Sequence, residues 1–410
     1  MTARAGTDTR VSLPSHGLTW PDVAGKLAVM RERDAKWREA RTFGGVYPAG
    51  EEVERVAREA YMQFFGENAV HTDFFPSLKQ MEQDVVAMAA GLFNGSEAVG
   101  HLTSGGTESL YLAVKVARDR AAAERGITNP HMVVPWTAYP VLNQIGHYLR
   151  VRVTRIPVTA SQEADLGALE AAITPETVLV VGSAPNFPFG VVDPIQEMAA
   201  ITRARNVDLH VDACVGGFQL PFLQKLGEAV PAFDFGVPGV TSLSADLHKF
   251  GYTALGTSMI LYRSPGIHRY QAYEYTDWPM GRWYRPGMLG TRPGGAYAAA
   301  WAVMHYLGED GYLALTRKAW ETAKYLFAQI NSIDGLQVWG RPNMSIFAYG
   351  SHTLDMAQVA QGMTGAGWAI TRHRVPPSIH VNVTAPHAAV VERYVADLRA
   401  AVAAAAGRSS

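Results

Sequence analysis

Ser242-Leu-Ser-Ala-Asp-Leu-His-Lys249-Phe-Gly-Tyr252 sets a lysine just beyond a β-like run, 239–244, among small polar residues and a glycine. A solvated surface lysine needs no such crowding. Upstream, Val211-Asp212-Ala213 ends a second β-like run. Further upstream, Thr103-Ser-Gly-Gly-Thr-Glu108 leads from a third into a helix-like run. An amine, a carboxylate and a glycine turn, each at the end of a strand, point to pyridoxal 5'-phosphate. Lys249 is the candidate covalent anchor, Asp212 the partner of the pyridine nitrogen, and the glycine turn the seat of the phosphate. The expected activity is that of an enzyme acting on amines or amino acids.

Each piece has a physical reason. Gly105 and Gly106 let the backbone approach an anion closely. The first N–H groups of the following helix and its dipole favour negative charge there, and Thr107 adds a hydroxyl. The pattern is neither a P-loop nor a dinucleotide fingerprint. Taken alone, it also reads as a plain strand-to-helix turn with a Ser or Thr cap. Asp212 stands at the strand end where parallel sheets bind ligands. A carboxylate there keeps a pyridine nitrogen protonated, and the protonated ring accepts electrons from the substrate. Lysine can serve covalently and as a general base. His248 titrates near neutrality, though a local structural role is equally open to it.

Ser242, Ser244 and His248 are candidate donors to the cofactor phosphate. Tyr139, in Pro135-Trp-Thr-Ala-Tyr139, is the candidate to stack on the ring, with Trp136 second. Ala184 is the candidate contact on the opposite ring face. The segment 182–190 is rich in turn formers and is expected to line the cleft. Cys214 reads as a small packing residue rather than a nucleophile.

Bulk properties narrow the class. The chain has 410 residues, enough for two domains and a large core. Its 36 basic and 37 acidic residues give a net charge of -1. No long run of either sign stands out, which argues against nucleic-acid binding and a polybasic membrane patch. Cys214 is the single cysteine, so no disulfide framework exists and a reducing cytoplasm is the expected location. Residues 1–20 lack a secretory apolar segment, and no run is apolar and long enough to span a bilayer. No metal site is expected.

The order of elements supports an α/β fold. Residues 1–18 read as a loose leader. Helices are expected from Pro21 to about Arg41, from Glu51 to Phe65 and from Leu78 to Phe93. Strands are expected at 98–103, 131–135, 151–157, 177–182, 207–212, 239–244 and 257–262. Helical patterns intervene at 107–125, 138–149, 165–173 and 194–205. This alternation predicts a mostly parallel seven-stranded sheet with helices on both faces. The last strand is expected to be antiparallel, because no long helix precedes it. Helices then follow at 296–307 and 312–330, short strands near 344–349 and 379–384, and helices near 354–366 and 386–404. Three regions are expected: a helical segment over 1–65 that makes dimer contacts, a large cofactor-binding α/β domain over 66–295, and a smaller α+β domain over 296–410.

The chain resembles the sphingosine-1-phosphate lyase family, a branch of the fold-type I pyridoxal-phosphate enzymes close to the group II decarboxylases. The resemblance rests on Val46-Tyr47, His71-Thr-Asp-Phe-Phe-Pro76, Leu92-Phe-Asn-Gly95, Thr103-Ser-Gly-Gly-Thr-Glu-Ser109, and His210-Val-Asp-Ala-Cys-Val-Gly-Gly-Phe218. It continues through Gly239-Val-Thr-Ser-Leu-Ser-Ala-Asp246, His248-Lys249, Thr276-Asp-Trp278, Gly290-Thr-Arg-Pro-Gly-Gly295 and Pro376-Pro-Ser-Ile-His380. It implies a homodimer with active sites shared at the subunit interface. It also implies retro-aldol cleavage of a β-hydroxy amine or amino acid to an aldehyde and a smaller amine. Tyr47 and His71 correspond to family residues near the substrate phosphate.

Two positions depart from the family pattern. Tyr139 stands where the family has a ring-stacking histidine. Leu255, six residues after Lys249, stands where the family has a phosphate-holding lysine. Leucine offers an anion no donor. The alternative activity is decarboxylation of an L-amino acid, since the same lysine, aspartate and ring would stabilise the carbanion left when CO2 departs.

Overall fold

Short apolar runs separated by amphipathic helices build the centre of the molecule. The computed structural model describes residues 11–407. Its main sheet has strands β1 (Val99–Thr103), β2 (His131–Pro135), β3 (Arg152–Ile156), β4 (Thr177–Ser183), β5 (Asp208–Asp212), β6 (Val240–Ala245) and β7 (Ser258–Tyr262). Their order is β1-β7-β6-β5-β4-β2-β3. From β3 to β6 the neighbours pair in parallel. β7 runs antiparallel to both β6 and β1, as expected of a strand reached without a crossover helix. Every residue of β2, β4 and β7 is buried, which is why they read as near-continuous apolar runs.

Helices α1 (Trp20–Arg31), α2 (Glu51–Gln63), α3 (Pro76–Leu92), α4 (Gly106–Arg125), α5 (Val141–Leu149), α6 (Leu166–Ala172) and α7 (Ile195–Ala204) precede or connect the strands. The two-residue period of β2 feeds two cores. Val133 enters the larger one. Met132 and Val134 enter a smaller one with Leu110 and Val114 of α4 and Leu142 and Ile145 of α5. Local chemistry sets the helix ends. Asp165 caps α6 by accepting the Ala168 N–H at 2.9 Å, and Gly126 closes α4 in the left-handed region at φ 67°.

One expected helix is shorter than its pattern. α1 stops at Arg31 rather than continuing to Arg41, and a separate 3-10 turn spans Trp37–Glu39. No residue of α1 is buried, so tertiary packing gives it nothing to extend along. Of the expected leader, residues 1–10 lie outside the described residues, and 11–19 carry no helix or strand.

Beyond β5 come two short helices that the sequence pattern does not reveal, α8 (Leu220–Lys225) and α9 (Pro265–His268). A hairpin of β8 (Tyr273–Tyr275) and β9 (Trp283–Arg285) follows, also unexpected. The long α10 (Gly294–Asn331) breaks at Gly308, whose φ of 54° and ψ of -172° divide it into the two expected halves. A second, antiparallel sheet has the order β10-β11-β13-β12, from β10 (Gln337–Val338), β11 (Ile346–Gly350), β12 (Thr371–His373) and β13 (Ser378–Asn382). Its central pair corresponds to the two expected strands, and its short edges were not legible. Helices α11 (Met356–Gly365) and α12 (Val391–Ala406) complete the chain. Among the described residues, no helix is long and apolar enough to cross a membrane.

Candidate active site

The carboxyl ends of β4, β5 and β6 converge on one cavity of about 550 Å³. This is where a parallel sheet offers side chains and helix N-termini to a ligand. Asp212 ends β5 and Ser183 ends β4, and both line the cavity. Lys249 reaches it from a tight turn after β6. That turn is closed by the Lys249 N–H on the Asp246 carbonyl at 3.2 Å and the Tyr252 N–H on the Lys249 carbonyl at 2.9 Å.

The amine of Lys249 lies 2.8 Å from Asp246 Oδ2. Burial opposes a charged amine there, but the Asp246 carboxylate more than offsets it and holds the amine well above its usual range. Asp246 is itself almost fully buried, and its other oxygen accepts the Ser258 hydroxyl. The Asp246 carboxylate was not singled out from the sequence. Its signal was present: an acid three residues before the lysine puts both side chains on one side of a turn.

Asp212 accepts the Cys214 N–H on Oδ1 at 3.1 Å, and burial raises its carboxyl. The Cys214 side chain also hydrogen-bonds this carboxylate and opposes that rise. Beneath it, His210 bridges Ser242 and Ser244 at 2.9 and 3.1 Å. Burial pushes this histidine down to about 3, so it is a neutral structural bridge at any working pH. Ser244 stands 3.5 Å from Asp212 Oδ1 and supports the carboxylate from below.

The glycine turn faces the cavity from the opposite wall. Gly105 is extended, and a Cβ there would meet no atom within 4 Å, so the backbone borders open space. At Gly106 a Cβ would lie 2.7 Å from Cys214 Sγ and 3.0 Å from both Asp246 oxygens, so the turn can sit this close only as glycine. α4 begins at Gly106, so its first N–H groups have no intrahelical acceptor. The cavity thus offers a carboxylate for a ring N–H, unpaired amides for a phosphate, and a primary amine for an aldehyde. Those are the three demands of pyridoxal 5'-phosphate, and this donor set fits it.

Residues 8–349 match the model of the pyridoxal-dependent decarboxylase conserved domain. The sphingosine-1-phosphate lyase of Oryza sativa subsp. japonica is 39% identical, over 97% of this chain and 76% of that protein. Sphingosine-1-phosphate lyase 1 of Rattus norvegicus is 36% identical, over 95% of this chain and 69% of its own length. This chain belongs to the sphingosine-1-phosphate lyase family. The solved structure of a Burkholderia pseudomallei sphingosine-1-phosphate lyase superposes with a TM-score of 0.93 at 37% identity, covering 96% of this chain and 93% of that one. A Lactobacillus brevis glutamate decarboxylase superposes at 0.85 with 17% identity, covering 98% and 96%, which speaks to the shared fold alone. As a member of the family, the chain has the fold-type I architecture and is a pyridoxal 5'-phosphate-dependent carbon–carbon lyase.

The cavity gathers Gly105, Gly106, Thr107, Tyr139, Asp212, His248 and Lys249, together with Tyr47 and Leu255. Four expected residues lie elsewhere. Ala184 is fully buried, and its neighbours Ser183 and Pro185 face the cavity instead. Ser244 is fully buried beneath Asp212 with its hydroxyl engaged by His210, so it is a support and not a phosphate donor; Ser242 is held by His210 in the same way. His71 is exposed, packs near Phe74 at 5.6 Å, and lies outside this chain's own cavity.

The Cys214 thiol is driven well above its usual range by burial and packs against Ser244 at 3.3 Å. Tyr47 is pushed up to about 12 by burial and stays a hydroxyl donor. His248 donates from Nδ1 to the Thr257 carbonyl at 2.8 Å, and its Nε2 lies 3.8 Å from Asp246 Oδ2.

The Asp246–Lys249 contact generates a prediction. Cofactor loading needs the neutral amine, and Asp246 favours the charged one. Asp246→Asn should therefore move the pH profile of loading, followed by the visible absorbance of the bound cofactor, toward acid by at least about one pH unit. A superimposable profile would show that Asp246 does not control this amine.

Proposed function

We propose that this lyase cleaves the Cα–Cβ bond of a β-hydroxy amine, giving an aldehyde and a smaller amine, and that compounds like sphingosine 1-phosphate form its substrate class. The observation that carries this reading is the coincidence of the Lys249–Asp212–glycine-turn cavity with 34–40% identity to sphingosine-1-phosphate lyases over nearly the whole chain. When bound, the cofactor supplies an electron sink for the pair released as the carbon–carbon bond breaks.

The chain's own groups divide the remaining work. Lys249 anchors the cofactor and carries a proton at Nζ, with Asp246 holding that proton. Asp212 keeps the ring nitrogen protonated. The amides of Gly105, Gly106 and Thr107 hold the phosphate. Tyr139, half-exposed and edge-on to Phe187 at 6.4 Å, packs against the ring. His248, which lines the cavity with Nε2 3.8 Å from Asp246 Oδ2, takes the proton of the substrate hydroxyl in this reading.

Leu255 is 72% exposed at the mouth. With Tyr47 and His248 it also borders an adjoining cavity of about 350 Å³, whose walls include Val53, Ala57 and Tyr61. Such walls suit an alkyl chain. We further propose a homodimer in which His71 serves the partner's site. The exposed Tyr273, Trp278, Met280 and Tyr284 around the β8–β9 hairpin support pairing of two copies. A cytoplasmic site of action is proposed as well, consistent with the free thiol of Cys214. Decarboxylation is the weaker reading, because the glutamate decarboxylases that share the fold are only 16–17% identical.

Two measurements test this. Purified enzyme given β-hydroxy amines should release aldehyde without CO2. CO2 from unhydroxylated amino acids, with no aldehyde from the hydroxy amines, would reverse the assignment. Leu255→Lys adds an ammonium at the mouth. It should raise kcat/KM for phosphorylated over unphosphorylated substrates by about tenfold, the worth of one charge-assisted contact. An unchanged ratio would place the substrate phosphate away from Leu255.

A further inference from the structure

Glu108 lies in the first turn of α4 and is 3% exposed, and no ion pair with it is found among the described residues. Hydrogen bonds satisfy its carboxylate instead. Oε2 accepts the N–H and the hydroxyl of Ser104, both at 2.8 Å. Oε1 accepts the N–H groups of Met288 at 3.1 Å and Leu289 at 3.3 Å. Gly287 passes so close that a Cβ there would lie 3.3 Å from Oε1. The four donors match the four lone-pair sites of an ionised carboxylate, and the helix N-terminus adds favourable electrostatics.

The two arms reach different parts of the cavity. Ser104 belongs to the glycine turn. Met288 belongs to the segment after the β8–β9 hairpin and lines the cavity. We propose that Glu108 is a positioning residue that locks the glycine turn and the 287–289 segment into one unit, coupling cofactor affinity to substrate affinity. The inference rests on the reading that this turn holds the cofactor phosphate. Glu108 takes the Ser104 N–H, so the phosphate is left the amides from Gly105 onward. The same carboxylate sets how far the Met288 wall stands from the bound substrate.

Glu108→Gln separates positioning from mere packing. An amide accepts on one side only, so it serves one arm and turns an NH2 group against the donors of the other. Three quantities are read: the Kd for pyridoxal 5'-phosphate by absorbance titration of the apoenzyme, KM and kcat at saturating cofactor, and the Tm of the apoenzyme. The expected result is a cofactor Kd raised about tenfold and a KM raised at least about threefold, with kcat within about twofold of wild type. Ser104→Ala removes one of the four bonds without altering the chain path, and should raise both Kd and KM by about twofold to threefold.

A Glu108→Gln enzyme with wild-type Kd and KM overturns the proposal, whatever its Tm. So does a raised Kd with an unchanged KM. If Glu108→Gln fails to fold, Ser104→Ala decides, and wild-type Kd and KM in that variant overturn the proposal. Gly105→Val isolates the underlying reading, because its side chain enters the open space beside the turn where the phosphate would lie. If it leaves the cofactor Kd unchanged, the phosphate is not held by this turn and both readings fall. If it weakens cofactor binding while Glu108→Gln does not, only the coupling falls.

Discussion

The contact between Asp246 and Lys249 is the constraint around which this site is built. An ammonium and a carboxylate 2.8 Å apart in a largely buried cavity are worth keeping only when geometry and further hydrogen bonds compensate for lost hydration. The compensation here comes from several elements. β7 contributes the Ser258 hydroxyl to Asp246, β6 delivers the turn that aims the lysine, and α4 approaches through Gly106 with no side chain in the way. A parallel sheet with one antiparallel strand brings these elements to the same end. Without β7 between β1 and β6, the carboxylate would lack its second partner.

The chemistry follows from three carboxylates with different environments. Asp246 is paired with an amine. Asp212 is buried at the cavity wall, and His210 and Ser244 form a neutral scaffold beneath it. Glu108 is buried and bonded only to neutral donors. Each therefore does a different task, which composition alone would not distinguish. The cavity, by contrast, also carries the exposed Leu255 and Tyr139, an apolar and aromatic rim.

Much of this was legible beforehand. The seven strands of the main sheet follow buried apolar runs, and their boundaries agree with the expectations to within about two residues, the usual blur of element ends. The glycine turn, Asp212 and Lys249 stood out because chemistry restricts those positions to few residue types. What was missed depends on tertiary contact. Ser244 looked like a donor because it is polar and near the lysine, yet strand alternation turns it under Asp212. Ala184 lies just past the end of β4 and is buried, while Ser183 and Pro185 on either side line the cavity. Glu108 was quoted as part of a motif, but its second arm reaches residues 180 positions away, which no local pattern reveals. The β8–β9 hairpin is only three residues per strand and fully exposed along β8, so it leaves no hydrophobic period to read.

The central claim is that the amine of Lys249 carries the cofactor, and borohydride reduction of the loaded enzyme tests it most directly. Proteolysis and mass spectrometry of the reduced protein should place the pyridoxyl adduct on the peptide containing Lys249, with Lys249→Ala unlabelled. A fully loaded enzyme with its adduct on another lysine, or undiminished labelling of Lys249→Ala, would contradict the account.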